Sequence, residues 1–400
     1  MNFQMHSDRC EGTLAKIHAV PPKSIGVPCD KFQGYGREEV SQVELLSLLR
    51  SITPPDEAAM TAARHRQAQL AKPPGSLGVL EDLSVQLAGI TGKVQNRVDR
   101  THLLVFAADN GVVAEGVSSA PQSVTLQQTV NLTRAKTGAS VLAKAFGCGI
   151  TVCDVGVNAE IPTDAVLNRK IAYGTRNMAK EPAMTREQAE KAILTGAELA
   201  MVTEADALGI GEMGIGNTTT SSAVLSVLLS LPVEEVTGRG GGVTDEAFAK
   251  KKQVILTAIA RNRPNPQDPV DVLARVGGFD LAAMCGAFLG AAASHRPVVI
   301  DGFISAAAAL CAVRMCPAVR YYLVSSHASF EIGYEKAMEA MGLRPMLLLG
   351  MRLGEGSGCP LAFQILKGAC AVMNDMATFD QAGINDDYLD EIRKGDKFTV

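Results

Sequence analysis

The sequence predicts an α/β fold, with a parallel sheet between helical layers in a Rossmann-like three-layer arrangement and a smaller helical lobe. Three observations predict it. Short apolar runs alternate with helical stretches from residue 101 onward. The runs end at polar or glycine turns, as strands buried on both faces do. The chain is 47% hydrophobic yet has no Trp and only 4% aromatics, so small side chains carry the packing, which suits helices laid closely on a sheet.

Each element follows from its residues. Residues 1–40 are rich in Pro, Gly and charge without periodicity and read as an irregular extension. Residues 41–98 read as a helical small-lobe segment. VELLSLLRSI (43–52) has helical apolar spacing and stops at Thr53-Pro54-Pro55. PDEAAMTAARHRQAQLA (55–71) opens with Pro and acids, which suit a first turn. VLEDLSVQLAGI gives a third helix. Residues 99–377 then read as the large α/β domain, followed by a C-terminal segment, 378–400. Its strands are expected in THLLVFAADNG (101–111), ITVCDVGV (150–157), LGIGEMGIGN (208–217), PVVIDGF (297–303), YYLVSSH (321–327) and PMLLLGMRLGEG (345–356). Helices are expected between them in TREQAEKAILTGAELAMVTE, ISAAAALCAV and EIGYEKAMEAMG. Ligands of such sheets bind beyond the carboxyl ends of the strands. Asp109, Glu212, Asp301, Ser329 and Glu355 emerge there.

Composition narrows the function. The net charge of −4 and the lack of a basic cluster argue against nucleic acid. The first residues lack an apolar signal-like core, and the uncharged stretch Met213 to Val233 is interrupted by GIGNTTTSS. A soluble cytoplasmic protein without membrane contact is expected. Nine cysteines without a CxxC pair, and six histidines without ligand spacing, read as reduced thiols and predict no metal or other cofactor.

Four stretches can carry chemistry. In GEMGIGNTTTSSAVLSVLL (211–229), Gly214 and Gly216 allow close backbone approach, and Asn217 or Thr218 is placed to cap a helix whose N-terminus favours an anion. An ordinary glycine turn with a good cap fits those residues equally well. GRGGGVTDEAFAKKKQVI (238–255) puts Lys250, Lys251 and Lys252 on a helix, either as a solvated face or with one lysine turned to a phosphate. ADNGVVAEGVSSAPQSVTLQQ (108–128) reads as a long polar binding loop. In RLGEGSG, Glu355 sits at a strand end between Gly354 and Gly356, with room for a flat substrate. Desolvation makes a carboxylate a stronger base. A glutamate that accepts backbone N–H bonds to hold its turn fits the same stretch.

KPPGSLG, ADNGVVAEGV, GEMGIGNTT, GGFDLAAMCGAFLGAA, DGFISAAAAL and RLGEGSG follow one another in register. Together they resemble the nicotinate-nucleotide–dimethylbenzimidazole phosphoribosyltransferases of cobalamin lower-ligand synthesis, from about Val43 to about Ala377. The resemblance implies transfer of the phosphoribosyl group of nicotinate mononucleotide to a benzimidazole-type base, with Glu355 as general base. It implies a nucleotide site at Glu212, Gly214, Gly216, Asn217 and Lys251, with Ser329, Gln128, Asp109, Gly354 and Gly356 among the substrate-binding residues. It also implies a homodimer with small-molecule substrates. Two stretches depart from the family pattern. Ala108-Asp109-Asn110-Gly111 has Asn where the family commonly has His, and Ser329-Phe330-Glu331-Ile332-Gly333 stands where SAEPG is frequent. Adenine, substituted benzimidazoles and phenols stay open as acceptors. A partner-dependent subunit and an unrelated nucleotide-binding protein are the alternative readings.

Overall fold

The computed structural model describes residues 37–389. The extension expected over 1–40 lies outside them except for its last residues, and so does the end of the segment 378–400. A helix begins at Arg37 and runs to Ser51, six residues ahead of the stretch read as helical.

Six parallel strands form one sheet: β1 (Thr101–Ala108), β2 (Gly149–Gly156), β3 (Leu167–Asn168), β4 (Ala207–Met213), β5 (Val298–Ile300) and β6 (Leu323–Ser325), in the order β3-β2-β1-β4-β5-β6. Two-residue periodicity sends alternate side chains to opposite faces. Leu104, Phe106 and Ala108 of β1 join one core, while Leu103, Val105 and Ala107 join the other. The first core is covered by the helices Arg37–Ser51, Arg186–Val202, Phe279–Ala293 and Phe303–Met315. The second is covered by Val79–Thr91, Gly138–Ala145 and Cys359–Asp375. A third, small cluster joins Ala59, Ala63 and Leu70 to Ala88 and Met373. Among the described residues no helix is long and apolar enough to cross a membrane.

The helices Arg186–Val202 and Phe279–Ala293 touch backbone to backbone. A Cβ on Gly196 would lie 1.8 Å from the Ala283 carbonyl oxygen, and one on Gly286 would lie 1.8 Å from that of Ile193. Small residues at these positions set the thickness of the layer.

Two expectations are corrected, and one strand is added. PMLLLGMRLGEG is not a strand: it pairs only through a single bridge, His327 with Leu347, and Leu348 is 82% exposed. Met346 and Leu347 bond only to the chain just past β6, at Ser326 and Ala328, so the run does not extend the ladder. The stretch 108–128 is not one long loop, since it contains a 3₁₀ turn, Gly111–Glu115, and the start of the helix Ser123–Thr133. β3, a two-residue edge strand, has too little apolar pattern to be anticipated.

The connections run from β1 outward to β2 and β3, then return to place β4 on the other side of β1. The crevice between β1 and β4 is therefore the topological switch point, where open α/β sheets bind ligands.

Candidate active site

β4 delivers the first site residue. Glu212 lies one residue before its end and is buried. The turn after β4 leads into the helix Asn217–Leu229, entered through Gly216 at φ 91°. That left-handed conformation suits glycine. Asn217 and Thr218 do not cap this helix as expected, because Gly216 occupies the cap position without a side-chain bond. The Asn217 amide is used differently. Its Nδ2 donates to Glu212 Oε2 at 2.5 Å and to Asp280 Oδ2 at 3.0 Å.

Glu355 arrives from the irregular segment and sits in the turn before the helix Cys359–Asp375. It is 3% exposed and has φ 62°, a strained conformation for a residue with a side chain. Four bonds impose it. The Glu355 N–H donates to Glu212 Oε1 at 3.1 Å. Gly356 and Gly358 donate to the two oxygens of Asp301 at 3.0 and 2.7 Å. Glu355 Oε2 accepts from the Ala139 N–H at 3.0 Å, in the first turn of Gly138–Ala145, where the helix dipole favours a carboxylate.

The flanking glycines serve packing as much as access. A Cβ on Gly354 would lie 2.5 Å from Glu212 Oε1, and one on Gly356 would lie 2.6 Å from Leu103 Cδ1. Gly211, within β4, leaves space for the Glu355 carbonyl oxygen, which would stand 2.4 Å from a Cβ there. The turn thus rests directly on the sheet.

A cavity of about 290 Å³ opens over these groups. Of the residues expected at the site, Gln128, Glu212, Gly214, Gly216, Asn217, Ser329, Gly354 and Glu355 line it. Lys251 stands behind the lining, buried, with Nζ donating to Thr218 Oγ1 at 2.9 Å and to the Gly238 carbonyl at 3.1 Å. Lys250, by contrast, is exposed. Asp109 does not reach the cavity. It is buried and accepts from the Asn158 N–H at 2.8 Å, tying the ends of β1 and β2 together. Gly356 is also absent from the lining, for the packing reason given above.

Burial dominates the electrostatics. It pushes Glu212 up to about 8, Asp301 to about 7 and Asp280 to about 6, against the downward pull of the N–H groups that each accepts. It lowers His327 to about 4, so this ring beside Asp301 is neutral near pH 7. Lys251 is lowered to about 8 by burial, with Glu331 opposing. A carboxyl with a raised folded pKa contributes its stability below its unfolded value and loses it as the pH rises through the folded one. Glu212→Gln is therefore expected to gain melting temperature relative to wild type as the pH goes from about 5 to about 9. Parallel thermal melts check this, and a difference that stays flat or reverses is the contrary result.

The sequence does not single out Asp280, His327 or Glu331 as site residues, and it offers Asp301 only as a strand-end acid. The cues were present. Asp301 ends the buried run PVVID, and Asp280 is the one acid in the apolar helix Phe279–Ala293. At the cavity mouth, Arg352 lies over the ring of Phe330 at 5.5 Å.

A phosphoribosyltransferase family model matches residues 52–384. The chain is 47% identical over 359 residues to the nicotinate-nucleotide–dimethylbenzimidazole phosphoribosyltransferase of Clostridium perfringens, covering 89% of this chain and 99% of that one. It is 52% identical over 328 residues to the enzyme of that name from Ruminiclostridium cellulolyticum, covering 81% and 93%. The crystal structure of CobT from Thermus thermophilus superposes with a TM-score of 0.79 at 43% identity, covering 82% of this chain and 99% of that one. Fold, matched length and identity agree: the chain belongs to the nicotinate-nucleotide–dimethylbenzimidazole phosphoribosyltransferase family.

Proposed function

We propose that the protein transfers the phosphoribosyl group of nicotinate mononucleotide to 5,6-dimethylbenzimidazole, giving α-ribazole 5′-phosphate and nicotinate, with Glu355 as general base. One observation carries this reading. The buried Glu355 carboxylate shares a cavity with the anion-favouring start of the helix Asn217–Leu229.

The donor's phosphate lies against that helix start and Thr218, where the positive end of the helix dipole meets it and the Lys251 ammonium stands behind, bonded to the Thr218 hydroxyl. The acceptor lies toward Gln128 and Glu355. Glu355 withdraws the acceptor N–H proton, and the nitrogen lone pair forms the new bond to the anomeric carbon. The C–N bond to the pyridinium breaks as its electron pair returns to the ring, which leaves with a neutral nitrogen. No proton donor is needed at the leaving group. Attack opposite the departing ring inverts the anomeric centre. A positioned base contributes about 10²–10⁴-fold, and alignment of the two flat rings contributes further.

Incubating nicotinate mononucleotide with dimethylbenzimidazole is expected to release nicotinate and α-ribazole phosphate in equal amounts, resolved by chromatography. Absence of release with this base, adenine and phenol, from folded protein, would overturn the proposal. Release with adenine or phenol alone would reassign the acceptor. The same reading carries a homodimer in the cytoplasm, and sedimentation equilibrium checks the dimer.

A further inference from the structure

We propose that Glu331 is a positioning residue of the cavity's phosphate end, holding the loop 238–242 in place and keeping Lys251 charged. The inference rests on the reading that the donor's phosphate binds at Thr218 and Lys251.

Glu331 lines the cavity two residues after Ser329, at the entry to the helix Ile332–Met341. Its carboxyl lies against the glycine loop. A Cβ on Gly238 would stand 1.9 Å from Oε2, so a side chain there would have to push the Glu331 carboxyl off the loop. The Gly240 backbone N–H lies on the side of the carboxyl where it favours the charged form. Oε2 itself is buried without a hydrogen-bond partner, a costly state for a charged oxygen. The loop it steadies is the one whose Gly238 carbonyl accepts from Lys251. Gly240 lies against both remaining groups, since a Cβ there would be 2.8 Å from Thr218 Oγ1 and 3.5 Å from Lys251 Nζ.

Glu331 is also the acid whose charge reaches Lys251. The helix Asn217–Leu229 brings the Thr218 hydroxyl to Lys251 and carries no charged side chain. Arg239 of the glycine loop turns to Asp245. Glu234 and Glu235 of the helix Val233–Val236 are exposed. Asp271 and Arg275 pair with each other. On the lysine's own helix, Lys250 is exposed and Lys252 lies over Phe248. Among the described residues, the Lys251 ammonium therefore loses its one opposing charge if Glu331 is neutralised.

Calorimetry with inorganic phosphate, on wild type, Glu331→Gln and Glu331→Asp, reads this directly. Wild-type affinity is expected to fall as the pH rises past about 8, where Lys251 gives up its proton. Glu331→Gln is expected to move that fall down by about one pH unit. It is also expected to raise the donor KM about tenfold near neutral pH, with a smaller change in kcat. Glu331→Asp keeps the charge and the wild-type midpoint, and it carries the test should the Gln variant not fold. An unmoved midpoint in Glu331→Gln, or a midpoint displaced in Glu331→Asp, would overturn the proposal. Wild type that binds phosphate with this profile yet releases no nicotinate would reject the transferase reading and leave the Glu331 assignment standing.

Discussion

Glu355→Gln is expected to slow nicotinate release by about 10²–10⁴-fold, the usual worth of a positioned general base. The donor should still bind with near wild-type affinity. Gln can accept from the Ala139 N–H as Glu355 Oε2 does, and the backbone bond from residue 355 to Glu212 is untouched. The turn is therefore kept while the proton acceptor is lost. Initial rates at saturating donor, with calorimetric donor binding alongside, separate these effects. Turnover within a few-fold of wild type would mean that the carboxylate only holds the turn.

Gly286→Ala should lose much stability through a single methyl group. The added carbon would meet the Ile193 carbonyl at 1.8 Å, and backbone atoms cannot move aside as a flexible side chain can. Helix preference favours Ala over Gly by about 1 kcal/mol, but overpacking costs about 1–3 kcal/mol and more where backbone meets backbone, as here. The two helices must separate, and the first core opens with them. Gly368→Ala is the matched control. It lies within the helix Cys359–Asp375, where a Cβ meets only Leu80 Cδ2 at 3.9 Å. Denaturant melts should show Gly286→Ala strongly destabilised and Gly368→Ala equal to or above wild type. Equal midpoints for the two variants would refute the close helix crossing.

Periodicity made much of this architecture legible. The runs at 101, 150, 208, 297 and 321 became strands because each is apolar on both faces and has a strand neighbour on at least one side. The run at 345 looks the same locally but meets the sheet only at one bridge beyond the end of β6, and Leu348 and Leu349 stay exposed. Pairing partners are a property of topology, not of a short sequence window. The same limit applied to the site. Glu355 stood out as an acid between two glycines, and Glu212 through the resemblance of GEMGIGN to the family motif. Asp280 and His327 could not be tied to them without the fold, and Asp109, with the same strand-end signature as Glu212, is not among the residues that line the cavity. Gly356 reads as an opening in sequence and proves to be a contact, because Leu103 is remote along the chain yet lies directly beneath it. Lys251 is distinguished from its neighbours only by the helix face that is buried.

The bonds that fix residues 355–358 come from distant parts of the chain. Ala139 is 216 positions away from Glu355, Glu212 is 143, and Asp301 is 55 and 57 from Gly356 and Gly358. Loop closures of that span come late and slowly in refolding. Helical signal should therefore return well before turnover does, and the enzyme stays inert until its last long-range contacts have closed.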